Sequence, residues 1–411
     1  KRGVNLVGLC PFHNEKTPSF TVSPNKGIFK CFGCGKSGDA IRFLMDYEHF
    51  TYNETIKHLA EKYNIEITYD NETGRLKDDS LEKESLYNIN KFALDYFIEY
   101  MNNTDEGRSV GLSYFKQRGF NTQIIDKFKL GYCSDNGQSF SKYAISKGYS
   151  KEILLKSGLA FEKDGILYDR YKGRVIFPIH NVSGKVVGFG GRILTTSTKM
   201  PKYINSPETE IYVKSKLLYG LYYAKNNIIK EDKCFLTEGY TDVISLNKIG
   251  IENVVSSSGT SLTIEQIRLL RRYTKNIIIL YDGDSAGIKA SFRGTDLLLE
   301  EGLNVKMVLL PDGEDPDSYV QHYTTDEVKN YIYNNIIDFI EYKAKILQNE
   351  TRQDPVKRSE LIREMVKTIS LIPDAITREM YIRECSYIMK ISEQILNNEL
   401  IKILKNNNKT D

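Results

Sequence analysis

Asn276-Ile277-Ile278-Ile279-Leu280-Tyr281-Asp282-Gly283-Asp284-Ser285-Ala286-Gly287 passes without a polar break from an apolar run into two acids, with a helical pattern beyond them. A run this short, rich in β-branched residues and closed by glycine, reads as a strand buried on both faces. Its neighbours repeat the pattern. Working outward, strands are expected at Cys234 to Thr237, Asn253 to Ser256, Asn276 to Tyr281 and Asn304 to Leu309. Helices are expected from Tyr240, over Thr263 to Tyr273, and from Ser285. Such alternation predicts a parallel sheet flanked by helices. In that architecture the loops after the strand C-termini gather on one edge, where ligands bind.

Three acidic motifs fall in those loops: Glu238-Gly239-Tyr240-Thr241-Asp242, Asp282-Gly283-Asp284 and Asp315-Pro316-Asp317. Ionised carboxylates about 4 Å apart repel by roughly 4 kcal/mol per pair at an effective dielectric near 20. Shifted pKa values or a hard, oxygen-seeking cation such as Mg²⁺ would offset this. A pair of such ions, about 3.5 to 4 Å apart, serves nucleotidyl transfer. Taken singly, each motif also fits a capping role, and Asp284 is placed to cap the helix that follows it.

On the N-terminal side, residues 85–231 mix helices (Leu86 to Met101, Glu152 to Ser157) with β-branched runs, Arg174 to Ile179 and Val186 to Arg192, and are expected to form an α/β subdomain. Residues 163–225 carry eleven Lys or Arg against four acids, a local basic surface. On the C-terminal side, 323–405 reads as a helical bundle broken near Asp354-Pro355 and at Pro373, and the tail from Asn406 reads as disordered. The sheet itself falls within 232–322. Residues 69–84 are charged and poor in large apolar side chains, and are expected to be a linker.

Ahead of the linker, within 1–68, Cys10-Pro11-Phe12-His13 and Cys31-Phe32-Gly33-Cys34 form two knuckles separated by seventeen residues. Cys10, His13, Cys31 and Cys34 together make a closed Cys₃His set, which predicts one structural zinc ion. Gly35-Lys36-Ser37 ends like a phosphate-binding loop, but the glycine that loop needs five positions earlier is Lys30, so the ATPase reading fails. Phe20, Phe29 and Phe32, interleaved with Lys26, Lys30 and Lys36, suit a single-strand surface. They suit the small apolar core of a zinc domain equally well.

The 411 residues are too many for one ordinary core and point to two to four domains. Hydrophobic content of 40%, charged content of 27% and the lack of an eighteen-residue apolar run exclude a membrane-spanning protein. No apolar leader follows Lys1-Arg2-Gly3, so a cytoplasmic protein is expected. The net charge of +3 does not by itself demand a polyanionic partner. Cys133, Cys234 and Cys385 lack spaced partners and read as buried hydrophobes. His49, His58, His180 and His322 belong to no constellation.

Taken together these motifs resemble the bacterial DNA primases of the DnaG type. The Cys-Pro-Phe-His-Asn-Glu-Lys-Thr-Pro-Ser-Phe and Cys-Phe-Gly-Cys segments look like that family's CHC2 zinc ribbon. Arg174 to Ile179, Gly188 to Arg192 and Pro201 to Thr209 look like the basic half of its polymerase domain, and the three acidic motifs look like its TOPRIM module. The resemblance implies a multidomain α/β protein: zinc ribbon, mixed α/β subdomain, TOPRIM parallel-sheet module and C-terminal helical bundle. It implies a nucleotidyltransferase making short RNA primers on single-stranded DNA from ribonucleoside triphosphates, and so an RNA/DNA hybrid product. Glu238, Asp282, Asp284, Asp315 and Asp317 would hold two or more Mg²⁺ ions, for which Mn²⁺ can substitute, and Asp242 would orient them. Arg174, Arg192, Lys202 and Lys214 would face template, triphosphate or hybrid. Lys127 stands where many relatives carry an arginine. The replicative helicase is a family partner, but its binding domain is expected to be absent here. A TOPRIM-type topoisomerase and a non-enzymatic, zinc-anchored single-strand binder are the alternatives.

Overall fold

The computed structural model describes residues 3–13, 15–48, 50, 52–63, 65, 75–194, 200–259, 261–311, 313–351 and 355–407. Its chain divides into two units, Lys1–Ser80 and Leu81–Asp411.

In the first unit, β1 (Leu6–Gly8), β2 (Phe20–Ser23), β3 (Ile28–Cys31) and β4 (Ser37–Asp39) pair in sequence order as an antiparallel sheet. Helices α1 (Ala40–Tyr47) and α2 (Tyr52–Tyr63) follow, α1 capped by Asp39, whose Oδ1 accepts the Arg42 N–H at 2.7 Å. The β2/β3 register sets Phe20 opposite Cys31 and Val22 opposite Phe29. Phe20, Phe29, Cys10 and Cys31 are buried there, with Phe12, Val22 and Phe43 against them. So small a core needs a further constraint to stay folded. The two readings of the phenylalanines divide accordingly. Phe20 and Phe29 are core, whereas Phe32 is 71% exposed with the Lys30 ammonium 5.3 Å from its ring centroid.

Helix α3 (Arg75–Asn103) is a departure from the sequence reading. Residues 69–74 of the expected linker lie outside the described residues, and the remainder is the first turns of this helix. Leu, Lys and Glu are good helix formers, so a polar composition there did not mean an irregular chain.

The second unit continues through α4 (Ser113–Gln117), α5 (Thr122–Lys127), β5 (Gly131–Cys133), α6 (Ser139–Ser146), α7 (Lys151–Lys156), the hairpin of β6 (Ala160–Lys163) and β7 (Ile166–Asp169), then β8 (Arg174–His180), β9 (Val186–Ile193) and β10 (Tyr203–Asn205). A four-stranded antiparallel sheet, ordered β10-β9-β8-β5, is its framework. Arg174, expected to face nucleic acid, is instead 1% exposed. Its guanidinium donates to the carbonyls of Gly191 (3.1 Å), Lys202 (3.2 Å) and Pro201 (3.1 Å), binding β8 to β9 and to the approach to β10. A buried guanidinium needs acceptors for its fork of donors, and three carbonyls supply them.

After α8 (Leu221–Glu231) come β11 (Cys234–Thr237), α9 (Tyr240–Lys248), β12 (Val254–Ser256), α10 (Ile264–Arg271), β13 (Asn276–Ile279), α11 (Ser285–Glu300), β14 (Asn304–Met307), α12 (Pro316–His322) and α13 (Thr325–Asn334). The sheet is ordered β12-β11-β13-β14-β15, the first four strands parallel. Side chains alternate across it as a doubly covered sheet requires. Ile277 and Ile279 enter the core shared with α11 and the C-terminal helices; Ile278 and Leu280 enter the core shared with α9 and α12.

The fifth strand, β15 (Ile337–Asp338), was not expected, since the chain beyond Asp326 reads as helical throughout. It pairs antiparallel with β14, setting Met307 opposite Ile337, and so closes the sheet edge. Beyond it α14 (Phe339–Thr351), α15 (Pro355–Ser370), α16 (Ala375–Met389) and α17 (Glu393–Asn407) pack on one another, with Pro373 between α15 and α16. Residues 352–354, where a break was expected, and 408–411 of the tail lie outside the described residues, and Asn406 ends up helical. No helix among the described residues is long and apolar enough to cross a membrane.

Candidate metal-dependent active site

The first unit brings four ligand atoms together. Those of Cys10, His13, Cys31 and Cys34 all lie within 4.8 Å of one another, with the Cys10 and Cys34 sulfurs 3.9 Å apart and His13 Nδ1 3.8 Å from Cys31 Sγ. The N–H groups of Phe12 and Cys34 approach Cys10 Sγ and Cys31 Sγ, each at 3.4 Å, an arrangement that favours thiolates. Behind them Glu15 accepts the Cys10 N–H (2.7 Å) and the Ser19 N–H (3.0 Å), and its other oxygen lies 3.2 Å from His13 Nε2. A carboxylate on the far nitrogen fixes the imidazole so that Nδ1 faces the cluster. Donor set and support both fit Zn²⁺.

The second constellation is the C-terminal edge of the parallel sheet. Glu238 follows β11 directly, and Asp282 and Asp284 follow β13. The loop between those two acids is held against the next one: Gly283 N–H donates to Glu314 O at 3.1 Å, and a Cβ on Gly283 would meet Pro311 O at 2.8 Å. Glycine is therefore required for that approach. Asp315 caps α12, its Oδ1 accepting the Ser318 N–H at 2.6 Å. Asp242, in the first turn of α9, accepts the Gly239 N–H at 2.7 Å and steadies the chain beside Glu238. Asp284 accepts the Gly287 N–H at 2.7 Å, the capping role foreseen for it.

These acids feel one another. Burial, then the charges of Asp242, Glu238, Asp315 and Asp284, pushes the Asp282 carboxyl up to about 8. Burial, then Asp315, pushes Asp242 up to about 7, against the opposing pull of the Gly239 N–H and Arg118. Glu238 is raised by burial and by Asp284, and its Oε1 is buried with no hydrogen-bond partner. Among the described residues the quartet is the assembled His/Cys/Asp/Glu group, and the carboxylates influence one another through their charges. An orphaned carboxylate oxygen among mutually repelling acids fits a divalent cation, which would relieve both conditions.

Asp317 differs from the rest. It is buried, its Oδ1 accepts the Ser245 hydroxyl at 2.5 Å, and its Oδ2 is ion-paired with Arg118. Arg118 carried no signal in the sequence, since Lys116-Gln117-Arg118-Gly119 has no spaced partner. The structure places it at the end of α4, its guanidinium 5.2 Å from the Tyr114 ring centroid. Arg192 lies over that ring at 5.0 Å, over Tyr203 at 5.7 Å, and bonds the Tyr114 hydroxyl. Arg118 thus meets the acidic edge through Asp317, and Arg192 adjoins Arg118 through the Tyr114 ring that both face. Lys202 is exposed beside Tyr203, and Lys214 is half-buried, its pKa lowered by burial. Lys127 is used internally, reaching Glu252 Oε1 at 2.6 Å and Asn247 Oδ1 at 2.8 Å.

Comparison with known proteins gives matches along most of the chain. Residues 1–75 match the CHC2 zinc finger family, 96–225 the N-terminal domain of the DNA primase catalytic core, and 235–320 the Toprim-like family. Residues 341–394 match the DnaB-helicase binding domain of primase, which overturns the expectation that such a domain is absent. That region is the α14–α16 helical stretch, whose function its periodicity alone did not reveal. The chain is 41% identical over 401 residues to a DNA primase of Clostridium acetobutylicum, covering 96% of this chain and 65% of that protein. It is 39% identical over 408 residues to a DNA primase of Halalkalibacterium halodurans, covering 98% of this chain and 67% of that one. The crystal structure of the zinc-binding and RNA polymerase domains of Aquifex aeolicus primase matches at 35% identity and a TM-score of 0.67, covering 96% of this chain and 93% of that one. A DnaG primase catalytic domain bound to ssDNA matches at 30% identity and a TM-score of 0.66, covering 75% and 99%.

Proposed function

This chain belongs to the bacterial DNA primases of the DnaG type, and from that membership we propose that it synthesises short RNA primers on single-stranded DNA from ribonucleoside triphosphates. The observation that carries the proposal is the carboxylate edge, where Glu238 Oε1 is buried without a partner and Asp282 is raised to about 8 among like charges, beside the rim of Arg192 and Arg118. The primase relatives, the zinc quartet and the Toprim match favour this reading over a topoisomerase or a non-enzymatic binder.

Glu238, Asp282 and Asp284 are assigned as the ligands of Mg²⁺, with Asp315 completing the set and Asp242 orienting it. Divalent ions held there would supply the positive charge that eases attack by a ribose hydroxyl and departure of pyrophosphate. The chain's own groups do the rest. Gly283 keeps the Asp282–Asp284 loop against the Asp315 loop, and the Gly239–Asp242 bond keeps Glu238 aimed at both. Arg192, Lys202 and Lys214 meet the polyanions, the guanidinium gripping phosphate in two-pronged fashion where the ammonium groups act as point charges. Exposed Phe32, with Lys30 above it, offers the zinc unit a stacking platform for a base. The domains assigned on this reading are 1–68, 85–231, 232–322 and 323–405. The helicase-binding match supports contact of residues 341–394 with a replicative helicase.

Incubation with single-stranded DNA, ribonucleoside triphosphates and Mg²⁺ tests the proposal. Short RNA products are expected. A tyrosine-linked DNA adduct trapped under denaturing conditions, or salt-sensitive DNA binding without turnover, would refute it in favour of one of the alternatives.

A further inference from the structure

Asp317 has the sequence signature of a metal ligand but the surroundings of a structural carboxylate. One oxygen takes the Ser245 hydroxyl at 2.5 Å, the other takes the Arg118 guanidinium, and its side chain is 5% exposed. The three partners lie on three different elements. Ser245 is on α9, one turn after Asp242; Asp317 is in the first turn of α12, two residues after Asp315; Arg118 ends α4. Helices α9 and α12 pack on each other, so this one carboxylate fixes the distance between the helix carrying Asp242 and the loop carrying Asp315. Through Arg118 it also fixes Tyr114, the ring on which Arg192 rests.

We propose that half-buried Arg118 and buried Asp317 are a positioning pair that sets the acidic edge against the Arg192 rim, and that Asp317 does not itself hold metal. The proposal rests on the primase reading and deepens it, because it removes one of the five acids that the family resemblance implies as ligands and adds an arginine. The physical reason lies in the burial. A carboxylate with both oxygens engaged, one of them by a guanidinium, has its charge already compensated, whereas the orphaned Oε1 of Glu238 does not. Removing one member of a buried pair strands the charge of the other, while replacing both by neutral hydrogen-bonding groups strands nothing.

The test uses the whole chain with Asp317→Asn, Arg118→Gln, the double variant, Arg118→Lys and Asp282→Asn. Circular dichroism fixes a temperature at which every variant is folded, and kcat and the nucleotide KM for RNA synthesis are measured there. Each neutral single variant is expected to lose at least tenfold in kcat, with a raised KM from the loosened Arg192. The double variant is expected to recover to within about threefold of wild type, and Arg118→Lys to lie between. Binding of Mn²⁺ alone, followed by electron paramagnetic resonance, is expected to be unchanged in Asp317→Asn and weakened in Asp282→Asn. A lost Mn²⁺ site in Asp317→Asn, a double variant as impaired as the singles, or fully active singles would each overturn the proposal. Should the wild-type chain make no RNA, the primase reading fails, and the Mn²⁺ result still decides whether Asp317 is a ligand.

Discussion

The quartet at Cys10, His13, Cys31 and Cys34 and the carboxylate edge after β11 and β13 are both read as metal sites, and they are built in opposite ways. The quartet is assembled, with its four ligand atoms within 4.8 Å and a supporting carboxylate on His13. The edge is open. Its carboxyls have raised pKa values at Asp242 and Asp282, and Glu238 has one orphaned oxygen. A site that only holds a fold gains from being closed, whereas a site that must admit a nucleotide and a template has to leave coordination positions for them. The cost of the open arrangement is mutual repulsion, which persists until a cation arrives.

Stripping zinc gives the largest expected effect on this contrast. Structural zinc contributes on the order of 10 kcal/mol to the folding of small modules. Chelation, or Cys31→Ser, should therefore unfold residues 1–80, seen as proteolytic cutting confined to that unit. A zinc-free unit that resists protease would mean that its small buried core suffices alone. At the open site the contrary outcome is expected. Asp282→Asn should cut RNA synthesis by roughly a hundredfold or more, the scale of removing a group that stabilises developing charge. Its metal-free melting temperature should stay level or rise, because a repelling carboxylate has gone. A fall of many degrees would show the acids to be structural.

The basic residues sharpen the same distinction between groups that hold the fold and groups left to meet a ligand. Arg174→Met should destabilise the protein by about 3 kcal/mol, because the carbonyls of Gly191, Pro201 and Lys202 lose the charged donor that ties β8 to β9 and to the approach to β10. Arg192→Ala should leave stability within about 1 kcal/mol and weaken template binding about tenfold, with a shallower salt dependence. Thermal melts alongside DNA titrations at two salt concentrations separate them, and equal effects on both readouts would erase the distinction.

His180 adds an effect that depends on pH. Burial, with Lys129 nearby, holds its imidazole down at about 4, against about 6.5 in an unfolded chain. Between those values the unfolded chain binds a proton that the folded chain refuses, so stability rises with pH from 4 to 6.5 and is fully present above. His180→Phe should flatten that slope in melts of the larger unit. An unchanged slope would assign it to other groups.

Much of this was legible in the residues, for physical reasons that also mark where legibility ends. Short apolar runs rich in β-branched residues expose β11 to β14, and the acids that follow β11 and β13 expose the edge. Ligand spacing exposes the quartet without any need of a fold. The two-residue β15 has no period to detect inside a helical stretch, and a charged but helix-favouring composition hid the start of α3. Arg174 and Arg192 look alike as letters. Only the fold shows one buried against carbonyls and the other adjoining Arg118 through the Tyr114 ring. Arg118 acquires its meaning from Asp317, 199 positions further along the chain.

Crystals soaked with Mn²⁺ and a ribonucleoside triphosphate, measured for anomalous scattering, test the open site most directly. The result expected is manganese contacted by Glu238, Asp282 and Asp284, triphosphate reaching Arg192, Asp317 still on Arg118, and zinc alone at the quartet. Manganese bound away from those three carboxylates, or a nucleotide bound with none of them near its metal, would contradict the assignment of the active site.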